Sequence, residues 1–152
     1  MLRLSKLTDY ATVILSHMAK DAKQVHAAID LAAVTGIALP TVSKILKLLV
    51  NANVLVSTRG SKGGYALAKV PEKISLASVI SAMEGPIGLT ECSISHQGCE
   101  QASGCGIRAN WSLISRTIQQ ALESVSLADM IKPAASVAMP EQVMIPVASL
   151  YK

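Results

Sequence analysis

Three cysteines in one short segment are the residues of this sequence best suited to bind a metal. Cys92, Cys99 and Cys105 are the only cysteines, and they lie within fourteen residues of each other. Thiolates are soft ligands that suit an iron–sulfur cluster or zinc, and both usually take four protein ligands. The pattern therefore predicts a cluster or zinc site with three cysteine ligands and a fourth ligand that is not a cysteine. A thiol switch without metal would use the same side chains.

The number of cysteines also bears on where the protein works. An odd count argues against a disulfide framework. The first six residues lack the apolar stretch and cleavage site of a secretory signal. The sequence has no run of about 18 apolar residues, the length that a membrane span requires. We therefore expect a protein of the reducing cytoplasm with no membrane partner.

Composition favours a helical core, and the sequence lacks the motifs expected of an enzyme. The 152 residues are 51% hydrophobic, yet they include no Phe, one Trp and three Tyr. Such a core must be built from aliphatic side chains, Ala and Met, which favours packed helices. We find no paired carboxylates, nucleophile motif or phosphate-binding glycine loop, so a redox or other enzyme is not expected.

Charge divides the chain into two unlike halves. Residues 1–73 carry ten Lys and Arg against four Asp and Glu, whereas residues 74–152 carry four against six. A basic half favours contact with a polyanion such as DNA. A well-solvated basic surface would produce the same balance, so charge alone does not decide between the two.

Three helices are predicted in the basic half by apolar residues that recur on one face. They cover residues 7–20, 27–34 and about 40–51, with Gly36 as a left-handed stop and Pro40 in the first turn of the third. Two short helices joined by a tight turn form a helix-turn-helix. The residues expected to face the core are Leu7, Ala11, Ile14, Leu15 and Met18, then Ile29, Leu31 and Ala32, then Val42, Ile45, Leu46 and Leu49.

A β-hairpin is predicted next, with glycine and basic residues at its tip. Its strands are residues 54–59 and 65–68, joined through residues 60–64. Ser75 can cap a further helix that ends at Gly85 and Pro86. Helix, helix-turn-helix and hairpin in this order predict a winged helix.

DNA contacts are expected from the second helix of the helix-turn-helix and from the wing. With its apolar face turned inward, the helix presents hydroxyl and ammonium groups to base edges or phosphates. An arginine on the wing suits a narrow minor groove, and glycines there allow close approach to phosphates. The candidate DNA-binding residues are Pro40, Thr41, Ser43, Lys44, Lys47, Arg59, Ser61, Lys62 and Gly63.

A longer helix follows the cysteines. Ile107, Trp111, Ile114, Ile118, Ala121 and Val125 recur at an average step of 3.5, which is typical of one helix lying along another. We expect self-association through this seam, and packing onto the protein's own domain is the alternative. Ser126 can cap a short final helix.

The predicted fold is therefore mainly α with a small β-hairpin, a winged helix-turn-helix domain followed by a long dimerisation helix. Residues 133–152 hold three prolines among many apolar residues, and no structure is predicted for them. The expected organisation is residues 1–84 for DNA binding, 85–106 for the cysteine segment, 107–132 for the dimerisation and final helices, and 133–152 for a tail.

Four stretches carry a family resemblance: residues 4–11, 39–46, 58–65 and the cysteine segment. Together they resemble the IscR/NsrR-type family of winged-helix, iron–sulfur transcriptional regulators, over about residues 1–132. The resemblance implies a homodimer built through the long helix, an operator in double-stranded DNA, and a 2Fe-2S or 4Fe-4S cluster on the three cysteines that sets DNA affinity. The stretch Leu-Thr-Asp-Tyr-Ala is most similar to regulators of the SUF cluster-assembly operon. Open alternatives are a nitric-oxide- or redox-sensing repressor of the same family, and a zinc-stabilised DNA-binding protein without sensing.

The resemblance leaves the fourth ligand open. Six residues separate Cys92 from Cys99, where the family usually has five, and the position of a family histidine is taken by Arg108. Other members use an acidic residue near the start of the first helix, supplied by the partner subunit, and Asp9 matches it. His96 is a second candidate, an external or absent ligand a third, and an ordinary first-turn carboxylate is the alternative role of Asp9. His17 and His26 are expected to be plain surface residues.

Overall fold

The computed structural model describes residues 3–95 and 105–133. In this part of the chain a two-stranded hairpin lies among helices, which confirms the predicted fold class. Cys99, His96 and the tail from residue 134 onward lie outside the described residues. The described elements are α1 (Lys6–Lys20), α2 (Ala28–Thr35), α3 (Leu39–Asn51), β1 (Leu55–Thr58), β2 (Gly64–Leu67), a 3-10 turn (Pro71–Lys73), α4 (Leu76–Glu84), α5 (Glu91–Ile94), α6 (Arg108–Ser124) and α7 (Leu127–Met130).

Helix α1 is the central element of the winged-helix core. It begins at Lys6 because the Ser5 side chain accepts a hydrogen bond from the backbone N–H of Thr8 at 3.3 Å. Its apolar stripe is buried as predicted, with Leu7 half-buried at the edge. The helix packs against α2, α3, α4 and α7. The buried core residues are Ala11, Ile14, Leu15, Met18, Ala19, Leu31, Val42, Ile45, Leu46, Leu49, Val54, Leu55, Ile74, Val79 and Leu127.

The helix-turn-helix forms where the sequence predicts it. Gly36 ends α2 with φ of +70°, a left-handed conformation that glycine adopts without strain. Helices α2 and α3 are bent by 120° relative to each other. One inward assignment is wrong: Ile29 is 64% exposed, and Leu31 is the residue of α2 that is fully buried. The residues of α2 are apolar on most sides of the helix, so the sequence pattern could not identify which face is buried.

The wing is an antiparallel pair in which Leu55 lies opposite Leu67 and Thr58 opposite Gly64. Strand β1 is shorter than the predicted run 54–59 because the ladder ends at Thr58, before the glycine-containing tip. Strand β2 has the predicted length but begins one residue earlier, at Gly64. Only Leu55 of β1 is buried. The hairpin is therefore attached to the core at its base, and its tip projects away from the core.

The end of α6 is fastened to the start of α4 by two backbone hydrogen bonds. The N–H of Leu76 donates to the carbonyl of Val125 at 2.8 Å, and that of Leu127 donates to Ile74 at 2.7 Å. Leu127 is buried below this bridge. The long helix begins one residue later than predicted, at Arg108, and Ile107 before it is 59% exposed. Helix α6 is thus joined to the winged helix as well as to the cysteine segment.

Among residues 3–95 and 105–133, no single helix has the length and apolar composition to cross a bilayer. Helices α2 and α3 would reach that composition only as a pair, and that pair is sharply bent.

Candidate DNA interface and cysteine segment

Helix α3 separates an apolar face from a polar one. Its four inward residues, Val42, Ile45, Leu46 and Leu49, are fully buried. On the other side Pro40, Ser43, Lys44 and Lys47 are exposed, and Thr41 is half-buried. The helix can therefore present ammonium and hydroxyl groups to a ligand without disturbing the core, as the sequence predicts.

The tip of the wing is basic and tightly turned. Arg59, Ser61 and Lys62 are exposed, and the N–H of Gly63 donates to the carbonyl of Gly60 at 2.9 Å. A Cβ on Gly63 would lie 2.3 Å from the carbonyl oxygen of Thr58, closer than any real contact. Glycine is thus required there by the turn itself, which holds the two basic side chains at the hairpin end.

His26 attaches the wing to the helix-turn-helix, which the sequence did not reveal. Its N–H donates to the carbonyl of Tyr65, and the N–H of Tyr65 donates to the His26 carbonyl, both at 2.8 Å. The expectation of a surface residue is wrong, since His26 is only 8% exposed. His17, whose ring centroid is 6.0 Å from that of His26, is half-buried. The two backbone hydrogen bonds place His26 against the wing. Local sequence patterns could not predict this, because the partner, Tyr65, is distant along the chain.

Two of the three cysteines lie at the two ends of one segment. Cys92 is in α5, where its Sγ is 3.2 Å from Oγ1 of Thr90, and Cys105 precedes α6. Both are free thiols and half-buried. Helix α5 packs against α6, and the N–H of Leu89 donates to the buried hydroxyl of Ser115 at 3.2 Å. Helix α6 therefore supports the entrance to the cysteine segment and continues directly from its exit.

Part of the predicted ligand set lies among the described residues. Among residues 3–95 and 105–133, no three His, Cys, Asp or Glu side chains lie close enough to share a metal. Cys99 and His96 are outside these ranges, and Asp9 is an exposed residue in the first turn of α1. The described donors fit a thiolate-bound group in chemistry, because Cys92 and Cys105 are half-buried and neither is in a disulfide. Asp9 does not join them within one chain.

A carboxylate that sequence reasoning did not identify lies at the start of α1. Glu84, at the end of α4, accepts hydrogen bonds from the N–H of Ser5 at 2.9 Å and from the hydroxyl of Thr8. These bonds from Thr8 and Ser5 lower the pKa of Glu84. The donors lie 79 and 76 residues away along the chain, so no local motif could indicate them.

Comparison with known proteins identifies the family. The Rrf2 model, described as an iron-dependent transcriptional regulator, matches residues 4–133. The chain belongs to the Rrf2 family. It is a transcriptional regulator of a DNA-binding family and not an enzyme, which confirms the predicted type of regulator and the expectation that the chain is no enzyme.

Individual Rrf2-family relatives are distant but cover much of the chain. Protein rrf2 of Nitratidesulfovibrio vulgaris is 28% identical over 134 residues, which span 88% of this chain and 89% of that protein. IscR of Xenorhabdus nematophila is 31% identical over 103 residues, spanning 68% of this chain but only 62% of IscR. The solved structure of CymR, the global cysteine regulator of B. subtilis, has 26% identity and a TM-score of 0.66, covering 86% of this chain and 97% of CymR.

Proposed function

We propose that this Rrf2-family protein acts as a homodimer whose affinity for operator DNA is set by an iron–sulfur cluster on Cys92, Cys99 and Cys105. The observation that carries the proposal is the placement of Cys92 and Cys105. Both are free, half-buried thiols at the two ends of a segment supported by α6, and α6 is also fastened to the winged helix. A ligand held by these thiols would therefore be connected to the DNA-binding domain through packed elements.

DNA would be bound by α3 and the wing. The exposed Ser43, Lys44 and Lys47 suit the major groove and its phosphates, and the exposed Arg59 and Lys62 suit the adjacent backbone or minor groove. Pro40, Thr41, Ser61 and Gly63 complete the proposed contact set through the helix start and the wing turn. The basic balance of residues 1–73 supports attraction to phosphate.

Dimerisation would use the seam on α6. Trp111, Ile114 and Ile118 are only half-buried in one chain. Ile118 and Leu122 also line an apolar cavity of about 420 Å³ beside the segment 85–89. This apolar surface supports a second copy as the partner, because a seam of this length would otherwise remain exposed to water.

The dimer interface is tested by placing a charge in the seam. We expect Ile114→Glu to convert a dimer into a species of 15.9 kDa, the mass of one chain, in sedimentation equilibrium. Gln120→Glu, on the exposed side of α6, is the matched control and should leave the dimer intact. A dimeric Ile114→Glu protein would place the interface elsewhere.

When bound, an iron–sulfur cluster would act as a cofactor whose occupancy and oxidation state change with iron supply or oxidation. Cys92, Cys99 and Cys105 would hold it as thiolates. Asp9 of the other subunit would act as the fourth ligand and bring the start of α1 to the cysteine segment. A carboxylate oxygen is the weakest donor in such a set, so this contact is the one most readily exchanged.

The cluster proposal is tested by anaerobic purification, visible absorption, and iron and sulfide analysis. We expect a brown protein with both elements, and a colourless one after Cys→Ser at any of the three positions. Operator fragments selected from random DNA should bind the apo and holo forms with different affinities. A colourless wild-type protein that contains zinc would overturn cluster control and support the zinc-stabilised alternative.

The role of Asp9 has a matched control in Asp30. Both are exposed first-turn carboxylates, of α1 and α2 respectively, so helix-dipole effects should be similar for the two. We expect Asp9→Ala to shorten the lifetime of the bound cluster in air, and Asp30→Ala to leave it unchanged. Equal lifetimes would remove Asp9 from the ligand set, and a shortened lifetime in His96→Ala would replace it with His96.

The proposed targets are SUF-type cluster-assembly genes, on the basis of the resemblance of residues 7–11. Transcription from such promoters should respond to iron starvation in cells with the wild-type protein and not in cells with the triple Cys→Ser variant. A response to nitric oxide with no response to iron would favour the nitric-oxide-sensing alternative.

A further inference from the structure

Glu84 joins the ends of two helices through a single carboxylate oxygen. Oε1 accepts a hydrogen bond from the backbone N–H of Ser5 at 2.9 Å and another from the hydroxyl of Thr8. The Thr8 side chain is fully buried, and its backbone N–H donates in turn to the Ser5 hydroxyl. The first turn of α1 is therefore held by a residue that belongs to α4.

The position of this carboxylate is explained by α1 and not by α4. The C-terminus of a helix carries partial negative charge, so an ionised Glu84 in the last turn of α4 is disfavoured by its own helix. The N-terminus of α1 carries partial positive charge and unpaired N–H groups, which favour the same carboxylate. Glu84 therefore stabilises the junction between the helices at some cost to the helix that carries it.

The contact between Glu84 and the start of α1 lies between the cysteine segment and the winged helix that is proposed to bind DNA. After Glu84 the chain turns at Gly85, with φ of +87°, and reaches Cys92 eight residues later. On the other side of the bond, Asp9 directly follows Thr8 in α1. Helix α1 packs against α3 through the common core. A displacement of the cysteine segment can therefore be transmitted through Glu84 and α1 to α3, the helix proposed to bind DNA.

We infer that Glu84 is the positioning residue that couples the state of the cysteine segment to DNA affinity. Its hydrogen bonds to Ser5 and Thr8 make the first turn of α1 follow any movement of residues 85–92. Without them, both states of the protein still fold and bind DNA, but the two states bind with similar affinity. This inference rests on the proposed function, since it requires that holo and apo forms differ.

The test compares the ratio of operator affinities of the holo and apo forms in wild type and Glu84→Ala. We expect the ratio to move toward 1 by at least about fivefold, the lower range of coupling between sites. Hydrogen exchange of the amides of residues 6–9 is an independent readout. It should differ between apo and holo wild type and be the same in both forms of Glu84→Ala.

Controls separate coupling from simple stability. Glu72→Ala removes an exposed carboxylate of the 3-10 turn and should leave the ratio unchanged. Glu84→Gln keeps an oxygen acceptor and should retain part of the coupling. If Glu84→Ala does not fold, Glu84→Gln decides the matter: its ratio should lie between the wild-type ratio and 1, and an unchanged ratio would overturn the inference. A purely structural cap would weaken both forms equally and leave the ratio intact, which would overturn the inference alone. A wild-type ratio of 1 would overturn the proposed function and the inference together.

Discussion

Glu84 and His26 are polar side chains placed where local rules disfavour them. Glu84 carries negative charge at the C-terminus of α4. His26 is buried, and its Nε2 has no hydrogen-bond partner in the described structure. The two residues differ in what offsets this cost. Glu84 accepts hydrogen bonds from Ser5, which caps α1, and from Thr8 in its first turn, whereas only the backbone of His26 is hydrogen-bonded.

Substitution of His26 should therefore be tolerated. We expect His26→Leu to leave the free energy of unfolding unchanged or to raise it by about 1 kcal/mol, because an unsatisfied buried nitrogen is replaced by apolar atoms. Thr8→Val is the contrasting variant and should lower it by about 1 kcal/mol or more, since a buried hydroxyl bonded to Glu84 is lost. Urea unfolding followed by circular dichroism measures both. A His26→Leu protein destabilised as much as Thr8→Val would mean that the imidazole has a role in packing or bonding.

Glu84 should make stability depend on acid. Its pKa is lower in the folded protein than its ordinary value of 4.5, because Thr8 and Ser5 donate hydrogen bonds to the carboxylate. Its contribution is therefore present above pH 4.5 and is lost as the pH falls through the lowered pKa. We expect Glu84→Gln to lower the free energy of unfolding by about 1 kcal/mol at neutral pH, a modest value because solvent screens an exposed group.

The pH series supplies the check on this assignment. The difference between wild type and Glu84→Gln should shrink toward zero in acid, where both side chains are neutral. Glu72→Gln, at an exposed site on the 3-10 turn, provides the comparison and should show a smaller difference at all pH values. A Glu84→Gln difference that is independent of pH would show that the charge of Glu84 does not stabilise the fold.

At the scale of the elements, the long amphipathic helices could be predicted from the sequence. The buried faces of α1 and α3 are given by local periodicity, and Gly36 and Ser75 mark helix ends by local chemistry. Helix α5 was not predicted, because four residues are too few to show a period. Candidate DNA and metal ligands could be proposed because their chemistry belongs to single residues, and these assignments stay predictions. The roles of Glu84 and His26 could not, because each depends on a partner far along the chain.

The wing as an element depends on close contact between β2 and His26. A Cβ on Gly64 would lie 2.5 Å from the carbonyl oxygen of His26, and this oxygen already accepts the N–H of Tyr65. We expect Gly64→Ala to separate the strand from its anchor and to cost about 1–3 kcal/mol of stability. Operator affinity should fall with it, because the wing loses its fixed position over the helix-turn-helix.

Gly106 provides the matched glycine for that experiment. A Cβ there meets nothing within 4 Å, so Gly106→Ala should leave both the melting temperature and operator affinity near wild type. Thermal unfolding and gel shifts on the three proteins measure the two quantities. Equal melting temperatures for Gly64→Ala and wild type would contradict the anchoring role of the His26–Tyr65 bridge.

At the scale of the whole molecule, the basic charge lies in the half that holds the winged helix and not in the half that holds the cysteines. The basic balance belongs to residues 1–73, which contain α3 and the wing, whereas residues 74–152 with the cysteines are slightly acidic. This division keeps the attraction to DNA on the winged helix and away from the proposed cluster. It also makes the salt dependence of binding a measure of which lysines meet phosphate.

Each phosphate contact that is removed should flatten the log–log dependence of the DNA-binding constant on salt by about one unit. In a homodimer every substitution occurs twice, so Lys44→Ala or Lys62→Ala should reduce the slope by about two units when both winged helices engage the duplex. Lys132→Ala is the control, since Lys132 lies on the surface after α7 and pairs with Asp129 at 2.6 Å. Its slope should equal that of the wild type. A reduction of about one unit would mean that only one subunit makes the contact, and no reduction would remove that lysine from the DNA interface. The same titration therefore tests the contact residues and the number of winged helices on the operator.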